Sequence, residues 1–265
     1  MANIFIVSVS NNETIYNQAI ANNPNLANCQ IIKYDNSQEN LAIPVRYNHF
    51  IEHQLNGQDG WLVFCHQDFE WLQKPEEVLN DLDKNCVYGP IGVTAKEYSS
   101  LHLIFHTYRF RPSIRKKKEF QTLVLGGIFQ GFPQKDYPIG KRLSKPTPVD
   151  TVDCCCIIVH SSLVRKYGLK FDEIFDFHLY TEDFCRAAAQ HDIKVMAVQC
   201  ACRHYSEGKI TEDFWKKYDK LLDKYPEDFF LTTCALYTKQ AVQRKLRHLS
   251  PKWIEAAKSV LSNSR

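Results

Sequence analysis

The sequence predicts an α/β domain in which a mixed, mostly parallel sheet is flanked by helices, followed by a helical C-terminal extension. Two patterns carry this. Short apolar runs rich in β-branched and aromatic residues alternate with helix-like stretches through the N-terminal half. Such alternation joins parallel strands through helices that cover both sheet faces. The third observation is compositional: 265 residues, 44% of them hydrophobic, can bury a sizeable core and are not the makings of a disordered chain.

Each element has its own signal. Asn3–Val9 is a buried-strand run, and Asn11 or Asn12 is placed to cap a helix beginning near Glu13. Gln30–Tyr34 reads as a second strand, closed by the turn formers Asp35-Asn36-Ser37. Pro44 suits the first turn of a helix running to about Leu55. Trp61–Cys65 is the third strand and Val87–Val93 the fourth. Residues 101–150 mix aromatic pieces with basic and Pro/Gly-rich loops and predict irregular structure near a site. Regularity returns with a strand over Cys154–Val159, helices over Ser161–Tyr167 and Glu182–Gln190, and a strand over Lys194–Val198. From Glu212 the pattern is helical, so the chain divides into a domain over 1–210 and an extension over 211–265.

Composition also excludes classes of function. A net charge of +3 and a pI near 8.2 are too mild to imply a nucleic-acid partner. The run Arg115–Lys118 is local and reads as a solvated loop. Ten cysteines in a chain of this length, without a secretory leader pattern, read as buried free thiols of a reducing compartment. Cys200 and Cys202 lack the Cys-x-x-Cys spacing of a structural zinc site. No apolar stretch reaches the roughly 20 residues of a membrane span, so the expected location is cytoplasmic.

The chemistry concentrates at strand ends. Trp61–Cys65 runs straight into His66-Gln67-Asp68, which places an imidazole and a carboxylate at a strand's carboxyl end, where open α/β sheets bind ligands. Thr181-Glu182-Asp183 opens a helix with Thr181 as its N-cap, and Arg203-His204-Tyr205-Ser206 follows another strand as a loop.

Taken in order, these residues resemble the GT-A type glycosyltransferases, in particular the family 2-like group of bacterial sugar transferases, over about residues 3–210. Asp35-Asn36-Ser37 is similar to the family's turn after the second strand, and Arg46-Tyr47-Asn48 to its Arg-Asn element. His66-Gln67-Asp68 stands in the place of the Asp-x-Asp motif, with His66 where the family has Asp. Val152–Cys156 resembles the strand lining the acceptor side, Thr181-Glu182-Asp183 the Thr-Glu-Asp motif, and His204 a late histidine.

The resemblance implies a Rossmann-like GT-A fold and inverting transfer of a hexosyl or N-acetylhexosaminyl group. The donor would be a nucleotide-diphosphate sugar, UDP-sugar foremost, and the acceptor a glycan or lipid-linked hydroxyl in surface polysaccharide synthesis. It implies a divalent cation on Asp68, His204 and His66, and the imidazole nitrogen of His66 favours Mn2+ over Mg2+. By the same correspondence Ser8, Asp35, Arg46 and Gln67 would contact the nucleotide sugar, Asp183 would be the general base and Glu182 would orient the acceptor. His178 reads equally as a packed or an acceptor-side residue. The alternative to an enzyme is a catalytically silent sugar-nucleotide-binding or scaffold module.

The extension reads two ways. Trp253, Ile254, Ala257 and Leu261 share a helical face beside Arg244, Lys245, Arg247 and Lys252. That stripe is either a peripheral anchor on the anionic inner membrane surface or a face packed on the domain.

Overall fold

The computed structural model describes residues 3–94, 124–206 and 210–225, with Thr232, Thr233 and Arg244. In chain order its first half is β1 (Asn3–Ser10), α1 (Glu13–Tyr16), β2 (Gln30–Asp35), α2 (Ile43–His49), β3 (Gly60–His66), β4 (Phe69–Trp71), α3 (Glu76–Leu79), β5 (Cys86–Gly89) and β6 (Ile91–Val93). Then come β7 (Val124–Gly126), β8 (Ile128–Gln130), β9 (Tyr137–Ile139), β10 (Thr147–Pro148), β11 (Thr151–Val152) and β12 (Cys156–His160). The last elements are α4 (Ser161–Tyr167), α5 (Tyr180–Ala189), β13 (Lys194–Ala197), β14 (Cys202–His204) and α6 (Glu212–Lys224).

Seven strands form the main sheet in the order β10-β13-β5-β12-β3-β1-β2. β1 pairs in parallel with β2 and β3, and β13 with β5, whereas β12 and β10 run antiparallel to their neighbours. The expected mixed, mostly parallel sheet is therefore present.

Successive strand residues face opposite sides, and here both sides are buried. Phe5, Val7, Leu62 and Phe64 enter one core with Tyr47 of α2, Leu163 of α4 and Phe184 of α5. Ile4, Ile6, Trp61 and Val63 enter the other with Tyr16 of α1 and Leu79 of α3. Burial on both faces is why β3 reads as an unbroken apolar run and β1 as one broken only by Ser8.

Four local readings need correction. The fourth strand is two strands, because Pro90 has no N–H to give a ladder. Past it the chain leaves the main sheet for a three-stranded sheet ordered β11-β6-β7. Val152–Cys156 is not one strand either: Asp153 Oδ1 accepts the Cys155 N–H at 2.9 Å, forming a turn, and β12 starts only at Cys156. Thr181 is not an N-cap. The helix begins at Tyr180 after Leu179, whose φ of 65° is left-handed, and the Thr181 hydroxyl donates to Glu182 Oε2. Finally, His204 ends strand β14 and does not stand in a loop.

Beyond residue 210, Thr211 caps α6 by accepting from Phe214 N, and the apolar face of α6 joins the first core through Phe214, Tyr218 and Leu221. Residues 212–224 thus share a core with the domain they follow. Arg244 pairs with Asp219 of α6 and lies over the Trp215 ring. The stripe from Trp253 to Leu261, like the run Arg115–Lys118, lies outside the described residues.

One buried amide ties α2, which borders the cleft through Ile43 and Tyr47, to the segment between α4 and α5. Asn48 donates to the Phe171 carbonyl and accepts the Phe171 N–H, each at 2.9 Å. Truncation leaves two buried backbone groups unmet, which costs on the order of 2–4 kcal/mol. Asn48→Ala is expected to lower the urea midpoint accordingly; an unchanged midpoint would refute this role.

Candidate metal centre and substrate cleft

β3 delivers its last residue, His66, to the sheet edge beside Val9 of β1. The chain then turns through Gln67 and Asp68 into β4, which pairs antiparallel with β14 so that Phe69 lies opposite His204. The Tyr205 N–H donates to the Asp68 carbonyl oxygen at 3.0 Å and locks this junction. His66, Asp68 and His204 consequently converge, and one ligand atom from each lies within 4.8 Å of the others.

The donor set suits a cation of borderline hardness: two imidazole nitrogens and one carboxylate. His66 Nδ1 is 4.0 Å and His204 Nε2 3.4 Å from Asp68 Oδ1. His204 Nε2 is nevertheless buried without a hydrogen bond, because Asp68 lies off the line one requires. A buried, unpartnered nitrogen beside a carboxylate is what a metal ligand looks like before the metal arrives. Burial holds His66 down at about 4 against the pull of Asp68, so it is neutral at physiological pH and can offer a lone pair. Burial also opposes charge on His204, but the Asp68 carboxylate outweighs it and raises that imidazole. Burial pushes Asp68 up, and the two histidines more than reverse this.

The cluster forms part of the wall of a cavity of about 430 Å³ that Asp153, Gln130, Tyr137 and His178 also line. A neighbouring lobe of about 330 Å³ is lined by Asn11, Asn36, Asn40, Asp176 and Asp213. Val9, Ile43, Gln67 and Phe177 border both, making one two-lobed cleft at the carboxyl end of β1 and β3. Phe177 is half-exposed and stacks on His66 with ring planes 13° apart.

The other expected site residues divide. Gln67 borders the cleft, but its amide is occupied: Oε1 accepts from Ser10 Oγ and from the Asn11 and Asn12 N–H groups, and Nε2 donates to Asn11. It braces the loop after β1. Ser8 is fully buried and lines neither lobe; strand parity turns it away and presents Val9 in its place. Asp35 is exposed at the end of β2 and accepts the Ser37 N–H, which lowers its carboxyl. Its neighbour Asn36 lines the smaller lobe while pinning Leu41 through both backbone groups. Arg46 pairs with Glu39 and lies over Tyr34, outside both lobes.

Neither member of the acidic pair of α5 lines either lobe. Asp183 is buried beside Lys224 Nζ at 2.7 Å and the Tyr225 hydroxyl at 2.9 Å. Burial raises its carboxyl, and Lys224 and Tyr225 moderate the rise. Glu182 is buried against Thr181. Among the described residues, the carboxylate presented to this cavity besides Asp68 is Asp153, held by the Cys155 N–H and the Thr233 hydroxyl. Asp153 sits in the segment matched to the acceptor side, yet nothing in its local sequence distinguishes it from a turn former.

No family model matches the chain, and no curated protein matches it. Among solved structures, GalNAc-T7 with UDP, GalNAc and Mn2+ superposes with a TM-score of 0.46 at 9% identity, over 99% of this chain and 58% of that one. Residues 1–349 of S. aureus TarS give 0.42 at 11% identity, over 93% and 71%. A longer TarS structure gives 0.35 at 10%, over 84% and 39%. The chain thus spans less than two thirds of the first of these proteins, and at such scores the likeness assigns neither family nor function.

Glu182 makes stability depend on pH. Burial, with Asp153 nearby, raises its carboxyl from an ordinary 4.5 to about 7. Between those values the unfolded chain has released a proton that the folded chain keeps, so stability falls as pH rises and levels off above about 7. The full loss is roughly 2–4 kcal/mol. Glu182→Gln removes this loss: its melting temperature should match wild type near pH 4.5 and exceed it at pH 8. A variant less stable than wild type at pH 8 would contradict the buried, proton-retaining carboxyl.

Proposed function

We propose that the protein is an inverting, metal-dependent glycosyltransferase moving a sugar from a nucleotide-diphosphate donor to an acceptor hydroxyl. The observation that carries this is the convergence of His66, Asp68 and His204 at the carboxyl end of β3, in the wall of a two-lobed cleft. The order of motifs resembling family 2-like enzymes supports the same reading. The first structural neighbour is a complex with UDP, GalNAc and Mn2+. Mn2+ is proposed here on the donor set, and a UDP-sugar donor on the order of motifs.

On this reading the smaller lobe takes the nucleoside, with Asn40 and Asn11 offering amide groups to base and ribose while Asn36 holds the Leu41 backbone of the lobe's wall. The larger lobe takes the sugar and the acceptor. His66, Asp68 and His204 would hold the cation, which when bound supplies positive charge against the departing diphosphate. The chain's own part is to align the acceptor hydroxyl with the anomeric carbon and receive its proton. As the acceptor oxygen bonds to that carbon, the bond from carbon to phosphate oxygen breaks and its electron pair leaves with the diphosphate. Of the described carboxylates lining the larger lobe, Asp68 belongs to the donor set, and Asp153 is the one placed to take the hydroxyl proton. Asp183, engaged by Lys224, serves on this reading to fix α5. A glycan or lipid-linked acceptor in surface polysaccharide synthesis fits the half-exposed Phe177 and Tyr137 at the cleft, which offer flat apolar faces to sugar rings.

Three variants test the reading. With UDP-sugars and Mn2+, nucleotide release should rise on adding a glycan acceptor and stop in excess chelator. Asp68→Ala should abolish it while the protein stays folded. Asp153→Asn should keep donor affinity and lose on the order of 10²–10⁴-fold in turnover, while Asp183→Asn should lose stability with turnover largely kept. The reverse pattern would return the base to Asp183. Donor binding without turnover under any acceptor would favour the silent binding module.

A further inference from the structure

Tyr180 has no part in the reaction described above, yet its hydroxyl stands at the metal centre. It is the first residue of α5, and its ring is fully buried between Tyr47 and Phe171. The phenol oxygen lies 2.9 Å from His66 Nε2 and 3.0 Å from the Cys154 carbonyl oxygen. Two oxygens that close need a proton between them, and only the phenol has one to give. The hydroxyl therefore donates to Cys154 and meets His66 as an acceptor. His66 Nε2 must then carry the imidazole proton, which leaves the lone pair on Nδ1. That is the nitrogen facing Asp68 Oδ1 at 4.0 Å.

The frame around this contact is well determined. Asp153 Oδ1 holds the Cys155 N–H, and the Cys155 carbonyl accepts the His66 N–H at 3.0 Å. One turn thus anchors the backbone of His66 and also presents the carbonyl that claims the Tyr180 proton. The stacked Phe177 ring restrains the imidazole plane from its other side. Tyr47, the nearest other phenol, is committed to the Cys65 carbonyl at 3.1 Å.

We propose that Tyr180 is a positioning residue that locks His66 in its Nε2–H tautomer, so that Nδ1 stands ready as a donor beside Asp68 and His204. The consequence for a cation rests on the metal reading of that cluster, whereas the tautomer itself does not. Outer partners that fix a histidine ligand's tautomer are typically worth about ten- to hundredfold in metal affinity.

The test starts with the metal-free wild type. Long-range proton–nitrogen correlation of 15N-labelled protein near pH 7.5 reads which ring nitrogen of His66 bears hydrogen. A protonated Nε2 with a bare Nδ1 is expected, and a protonated Nδ1 overturns the proposal without any variant. In Tyr180→Phe, checked for folding by its melting curve, the His66 signals should move to a mixture of tautomers. Its Mn2+ dissociation constant, read from free Mn2+ by electron paramagnetic resonance, should rise about ten- to hundredfold. A folded variant with unchanged tautomer, or with unchanged Mn2+ affinity where the wild type binds Mn2+, overturns the lock. A wild type with the expected tautomer that binds no Mn2+ upholds the lock and removes the metal reading.

Discussion

The site depends on a short ladder between β4 and β14. Cys202, Arg203 and His204 lie opposite Trp71, Glu70 and Phe69, and this pairing, backed by β8 on the other side of β14, carries a histidine from late in the chain to the end of β3. Arg203 reinforces it by pairing with both Glu70 and Asp136, each partly shielded from water. Were β14 to slip by one residue, His204 would turn to the opposite face and the cluster would lose a member. Interactions of no catalytic interest thus decide whether the centre exists.

Around that ladder the fold holds groups in states that are costly without a ligand. His66 is held toward its neutral form by burial, and His204 Nε2 is buried without a hydrogen bond, 3.4 Å from Asp68 Oδ1. Such arrangements persist because their surroundings over-determine them: the turn at Asp153, the Gln67 brace on the loop after β1 and the Asn48 clamp on Phe171. Each belongs to a different element, and together they pre-set the cleft before any substrate enters. A cation bound there relieves the unpartnered nitrogen and therefore couples binding to stability.

Much of the sheet was legible in the sequence, and for a physical reason. β1 and β3 are buried on both faces, so their central residues are almost all apolar and the run ends where the core ends. The polar residues that follow β3 mark that edge, which made His66 and Asp68 readable. His204 was readable only through the order of motifs, since its strand is too short to announce itself. The place of Ser8 was not legible because a residue's face is decided by strand parity, and Val9 takes the side that borders the cleft. The pairing of Asp183 with Lys224 could not be read, because an acidic first turn looks the same whether it faces a cleft or a lysine on a helix far along the chain. Asp153 and Tyr180 were passed over because their importance lies in what the fold sets against them.

The central claim is that His66, Asp68 and His204 form one cation site. Anomalous diffraction at the manganese edge, from crystals soaked in Mn2+ with a nucleoside diphosphate, tests it most directly. The account predicts a single strong peak bounded by His66 Nδ1, an Asp68 carboxylate oxygen and His204 Nε2. A peak elsewhere in the cleft, or none at saturating Mn2+, would contradict it.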